Sequence, residues 1–171
     1  MKRILTLILF TTFLSANELN FETIQSDFTQ IITNEQNSKI VYEGNFYATS
    51  NAKALWIYTK PINKKIYFDK NTVVIVEPEL EQAIITNLKN TPNLTEILQS
   101  AKKVSSDRYE ASYEETTYSI TIKHGKIATI EYRDKLDNAI VISLSNLVKN
   151  AFLDDALFKE EIPLDYDILT Q

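Results

Sequence analysis

The residues able to move a proton, bind a metal or attack a carbonyl are few in this chain, and their spacing assembles none of those reactions. His124 is the sole histidine and stands beside Gly125 in what reads as a hairpin turn. A base at a turn tip has no pocket around it, a serine triad would need this same histidine, and with no second histidine there is no histidine metal site. Glu77, Glu79 and Glu81 alternate around Pro78. A glycosidase needs two carboxylates held in one cleft, whereas this spacing reads as a solvated loop. Asp154-Asp155 reads as the cap of a short helical turn. The absence of cysteine removes disulfides, thiolate zinc sites and a cysteine nucleophile. Two glycines, Gly44 and Gly125, are too few for a phosphate loop or a dinucleotide fingerprint. No catalytic residue, metal ligand or cofactor is therefore expected.

Apolar side chains are plentiful by contrast. Of 171 residues, 44% are hydrophobic and 24% charged, a balance that suits one globular domain with a sizeable core. Met1-Lys2-Arg3, the apolar run over residues 4–13 and the small residue Ala16 have the layout of a secretory signal peptide. Cleavage is expected after Ala16, leaving residues 17–171 as a single domain. The run is too short for a spanning helix, which needs about 20 apolar residues. Without Lys2 and Arg3 the chain keeps 16 basic and 23 acidic residues, a net charge of −7. That charge disfavours nucleic acid and anionic headgroups as partners.

Strand patterns dominate the rest. Residues 26–33, 39–49, 54–59, 65–69, 72–76, 81–87, 108–113, 116–123, 126–133 and 139–147 read as strands joined mostly by short polar turns. Within 39–49, Ile40, Tyr42, Gly44, Phe46 and Ala48 share the drier face. Within 54–59, Ala54, Trp56 and Tyr58 point one way and Leu55 and Ile57 the other. Both faces are bulky, so each must be covered; a terminal segment such as residues 163–168 is the candidate for the Leu55 side. One clear helix is expected over residues 93–102, with Leu94, Ile97, Leu98 and Ala101 on one face. Asn93 is its expected N-cap, with Glu96 three residues on, and Lys102 and Lys103 suit its C-terminal dipole. About ten antiparallel strands and two or three short helices cannot cover a flat sheet, which suggests a sheet curled on itself. Large curled sheets commonly hold a ligand. Nine tyrosines and eight phenylalanines fit such a core with or without one.

Three stretches, taken in order, resemble the periplasmic outer-membrane lipoprotein carrier family (LolA). They are Ser26-Asp27-Phe28-Thr29-Gln30, then Gly44-Asn45-Phe46-Tyr47 with Leu55-Trp56 and Lys60-Pro61, then Asp69-Lys70-Asn71-Thr72 leading to Glu77-Pro78 and Glu81-Gln82-Ala83. The resemblance is carried by residues 26–86. It implies a mainly β fold, an incomplete, unclosed antiparallel β-barrel with a lid of short α-helices. It implies a monomeric periplasmic carrier rather than an enzyme. Such a carrier accepts acylated lipoproteins from an inner-membrane lipoprotein-releasing ABC transporter and passes them to an outer-membrane receptor. On this resemblance Phe28, Phe46, Ala54, Trp56, Tyr58, Ile66 and Phe68 line a lipid-binding cavity, and Leu94, Ile97 and Leu98 roof it. The alternative is a lipid- or lipoprotein-sensing regulatory domain on the same fold. The chain departs from the family in two places. An arginine-proline pair that helps latch the lid is matched here by Ser50 and Asn51, with Lys53 or Lys60 as replacement charges. Only about nine residues separate Ala16 from Ser26, so the family's first lid helix must be short or absent.

Overall fold

A computed structural model describes residues 18–69, 71–87 and 93–170. The expected signal peptide, residues 1–16, lies outside the described residues. Strands β1 (Thr23–Thr33), β2 (Lys39–Thr49), β3 (Lys53–Lys60), β4 (Lys64–Asp69), β5 (Thr72–Glu77) and β6 (Gln82–Asn87) form a meander, followed by helix α1 (Leu94–Ser100). Then come β7 (Lys102–Lys103), β8 (Arg108–Tyr113), β9 (Thr116–Lys123), β10 (Lys126–Arg133), β11 (Ala139–Lys149) and β12 (Asp167–Thr170). All belong to one sheet ordered β12-β6-β5-β4-β3-β2-β1-β11-β10-β9-β8-β7. Every pairing is antiparallel except that of β12 with β6. Strands β12 and β7 form the two edges and do not pair with each other, so the barrel is unclosed.

The described strands number twelve rather than about ten because of β7 and β12. Lys102 and Lys103 do not end the helix as expected. Ala101 turns extended, with φ −69° and ψ 138°, and the two lysines pair with Glu110 and Tyr109. A ladder to β8 thus takes the place of the helix's last turn. At the other edge the terminal segment expected over residues 163–168 becomes a strand only from Asp167, whose N–H donates to the Glu81 carbonyl at 2.9 Å. The described residues hold one α-helix and two 3-10 turns, Pro78–Leu80 and Asp155–Phe158.

The eleven-residue strands β1, β2 and β11 form the spine. The β1–β11 register shifts between Gln25 and Asp27, and the buried Ser26 hydroxyl donates to the Ser145 carbonyl there at 2.7 Å. Asp27 accepts from the Asn45 and Asn146 side-chain amides, both at 2.7 Å, tying β1 to both neighbours. Gly44 sits where β2 and β3 change register. An added Cβ would lie 1.9 Å from the Ile57 carbonyl oxygen and 2.9 Å from the Phe28 ring, so only glycine fits.

The sheet buries apolar side chains on both faces. The concave core joins Phe28, Phe46 and Trp56 to Ile97 and Leu98 of α1 and to Ile120 and Ile130 of the far wall. The convex core gathers Leu55, Tyr67, Val74, Val76 and Ala83 beneath Phe158, with Leu153, Leu157, Ile162 and Tyr166 around it. This answers the question raised by Leu55 and Ile57: the C-terminal segment covers them, beginning at Leu153 rather than near Pro163.

Candidate functional site

Between the concave face and α1 lies a cavity of about 450 Å³. Strands β3 and β4 supply Trp56, Tyr58, Ile66 and Phe68, and α1 supplies Leu94 and Ile97. Curling brings Tyr118, Tyr132 and Ile142 from the other half of the sheet to face them. Glu114, Asp134, Lys135 and Leu136 stand at the rim, on the turns β8–β9 and β10–β11. Six of the ten residues expected at a cavity therefore border this one. The other four, Phe28, Phe46, Ala54 and Leu98, are each at most 2% exposed and lie in the core behind it. They shape the wall without forming its surface. The Phe28 ring meets Trp56 edge-on at 4.8 Å and Tyr58 at 5.0 Å, and Phe46 lies 4.3 Å from Trp56.

Gln30 and the far-wall tyrosines were not expected here. Their alternation marks them as inward-facing, but only long-range curling sets them opposite β3 and β4. The Tyr58 hydroxyl donates to Gln30 Oε1 at 3.0 Å. Burial pushes the Tyr58 phenol well above its ordinary pKa and that of Tyr132 up to about 12, so both stay neutral donors at physiological pH. Lys64, opposite Tyr58 on β4, sits 4.4 Å above the Tyr58 ring and 5.3 Å from Tyr42. Burial lowers its pKa, and the two ring faces offset part of that cost. At the rim Lys135 pairs with Glu114 at 2.9 Å. The site thus grades from apolar depth to charged mouth.

Among the described residues the roof is held by few bonds. Asn93 Oδ1 accepts from the Thr95 N–H at 3.1 Å, the expected N-cap. Its Nδ2 donates to the Ala52 carbonyl at 2.6 Å, and Gln99 Nε2 donates to the Ser50 carbonyl at 2.8 Å. The β2–β3 turn therefore holds α1 through backbone carbonyls, at the place matching the family's arginine-proline pair. Lys53 and Lys60 do not supply the latch: Lys53 pairs with Asp155 at 3.1 Å and Lys60 with Glu43 at 2.8 Å. Thr95 Oγ1 is buried beneath the helix with no hydrogen-bond partner among the described residues. Leu19 and Phe21, just before β1, join the same concave core without forming a helix.

The polar groups weighed from sequence are scattered. His124 is exposed in its turn at φ 52°. Glu77 accepts from Gln82 at 2.6 Å, Glu79 from the Asn63 side chain at 3.3 Å, and Asp154 caps the Ala156 N–H at 2.9 Å. Among the described residues no cluster of three or more metal-ligating side chains occurs, and no helix is long and apolar enough to cross a membrane.

Comparison with known proteins points the same way as the cavity. Residues 19–161 match the family model described as outer membrane lipoprotein carrier protein LolA. An outer-membrane lipoprotein carrier protein of Campylobacter jejuni is 39% identical over 168 residues, covering 98% of each chain. One from Helicobacter pylori is 33% identical over 139 residues, 81% of this chain and 74% of its own. Among solved structures, a LolA superfamily protein from Nitrosomonas europaea superposes with a TM-score of 0.51 at 12% identity. It covers 85% of this chain and 94% of that one, a likeness of fold alone.

Proposed function

Because this chain belongs to the outer membrane lipoprotein carrier family LolA, we propose that it carries lipoproteins across the periplasm with their acyl chains sheltered in the cavity beneath α1. The observation that carries this reading is the apolar space walled by Trp56, Ile66 and Phe68 and roofed by a short, lightly held helix. Exposed acyl chains cost about 0.8 kcal/mol per CH₂ in water, so a carrier needs a dry shelter. A volume of about 450 Å³ lies toward the lower end of ordinary ligand sites, roughly 300–1,000 Å³. A multiply acylated cargo therefore requires α1 to lift. The transfer makes and breaks no covalent bond.

Residues 1–16 direct export and are removed, and the remaining chain works as a monomer. The partners are an inner-membrane lipoprotein-releasing ABC transporter as donor and an outer-membrane receptor as acceptor. The sensing alternative has no observation in its favour. Affinity capture with the mature protein from periplasm should recover acylated lipoproteins, and depletion should leave lipoproteins in the inner membrane. Recovery of none, with sorting intact after depletion, would overturn the reading.

A further inference from the structure

One cavity group is unused by a purely apolar shelter. Gln30 ends the Ser26–Gln30 stretch, faces the cavity from β1 and is 9% exposed. Its Oε1 is occupied by the Tyr58 hydroxyl at 3.0 Å. That contact fixes the amide plane and turns Nε2 the other way. No described residue accepts from Nε2. The remaining hydroxyls do not substitute for it. Thr95 Oγ1 is sealed under α1, Tyr118 and Tyr132 meet at a tilt of 37° with centroids 4.7 Å apart, one row nearer the mouth, and Tyr113 and Thr116 flank the β8–β9 turn at the rim.

Register gives the depth of this amide. Gln30 lies opposite Ile142 on β11 and Tyr42 on β2. Two residues deeper along β1 is Phe28, which packs on Trp56; two residues shallower is Ile32, opposite Ile140, which in turn faces Tyr132. At about 3.3 Å per strand residue, the Gln30 row sits roughly 7 Å above the apolar floor and the same distance below the tyrosine row. The charged turns 114–115 and 134–137 lie beyond. A molecule with hydrocarbon tails, carbonyls where the tails join, and a polar head would match these rows in order.

We propose that Gln30 Nε2 donates a hydrogen bond to the ester or amide carbonyl of a bound acyl chain, and so sets how deeply that chain enters. The proposal rests on the carrier reading and names what the site recognises beyond hydrocarbon. A hydrocarbon entering the cavity strips water from this amide and offers no acceptor in return, whereas an acyl carbonyl does offer one. Gln30 is thus a specificity residue at the junction between tail and head.

Two matched fluorescent probes test it: methyl pyrenedecanoate, which carries an ester, and decylpyrene, which does not. Each is titrated into the mature protein and into Gln30→Met and Tyr58→Phe. The readout is the ratio of the two dissociation constants. Gln30→Met keeps length and removes the donor, so preference for the ester should fall about five- to tenfold. Tyr58→Phe frees the amide to rotate and should lower it about two- to threefold, a readout that stands if the methionine variant folds poorly. An unchanged ratio in a folded variant overturns the inference while leaving the carrier reading intact. Failure of the wild type to bind either probe overturns the carrier reading and this inference with it.

Discussion

At the scale of single residues, Glu18 shows how a side chain ties the segment before β1 to the sheet edge. Its carboxylate accepts from the Tyr109 hydroxyl and pairs with Lys103 at 3.3 Å. The Tyr109 hydrogen bond, above all, holds the Glu18 carboxyl down from 4.5 to about 2. A depressed carboxyl stabilises the fold fully above its unfolded value, and the stabilisation is lost as pH falls through the folded value. Wild type and Tyr109→Phe should therefore differ in urea midpoint by a constant amount above pH 5. The gap should close between pH 4.5 and about 2, the two ends of the Glu18 shift; a gap independent of pH would show that the tyrosine acts by packing alone. Legibility differs from residue to residue at this scale. In the Ser26–Gln30 stretch, the family resemblance put Phe28 inward. It could not show that Ser26 serves a bulge, Asp27 two asparagines across the convex face, and Gln30 the cavity, because each role depends on strands distant in sequence.

Helix α1 is the element on which opening depends, and its sequence explains why it is lightly held. With seven residues it is too short to be stable alone, so it persists through Ile97 and Leu98, its cap, and two carbonyl contacts. Asn93 both caps the helix and grips Ala52. Its replacement by alanine should weaken docking by about 1 kcal/mol, read as roughly five- to tenfold faster hydrogen exchange at the Ile97 and Leu98 amides. Thr95 works in the opposite sense. Its orphaned hydroxyl destabilises the closed helix and regains water when the helix lifts. Thr95→Val should therefore slow the same exchange and dye entry. If both variants moved exchange in one direction, the closed position would not be set by these groups. The apolar spacing and N-cap of α1 were plain in the sequence. Its end was not, because Lys102 and Lys103 suit a helix terminus by charge and a sheet edge by pairing, and only the proximity of β8 decides.

For the whole molecule, one curled sheet with a different task on each face accounts for the bulk on both sides of β3. The meander and the open barrel were legible from alternation, turn spacing and the family stretches. The cavity's far wall was not, since closure of β8–β10 over β3 and β4 is a property of accumulated twist and bulges rather than of any local run. The division of labour makes a last prediction. Phe158 is 5% exposed and plugs the convex core over Leu55 and Tyr67, remote from the cavity. Phe158→Ala should cost about 3–4 kcal/mol in urea unfolding, while pyrene-ester affinity on the concave face changes less than about twofold, as expected for distant, independent sites. The reverse holds for Trp56, which is 7% exposed, shared between core and cavity, and wedged against Phe28 and Phe46. Trp56→Ala should lower stability and probe affinity together. If Phe158→Ala instead weakened probe binding tenfold, the two faces would be coupled through β3. The C-terminal cover would then act on cargo affinity as well as on stability.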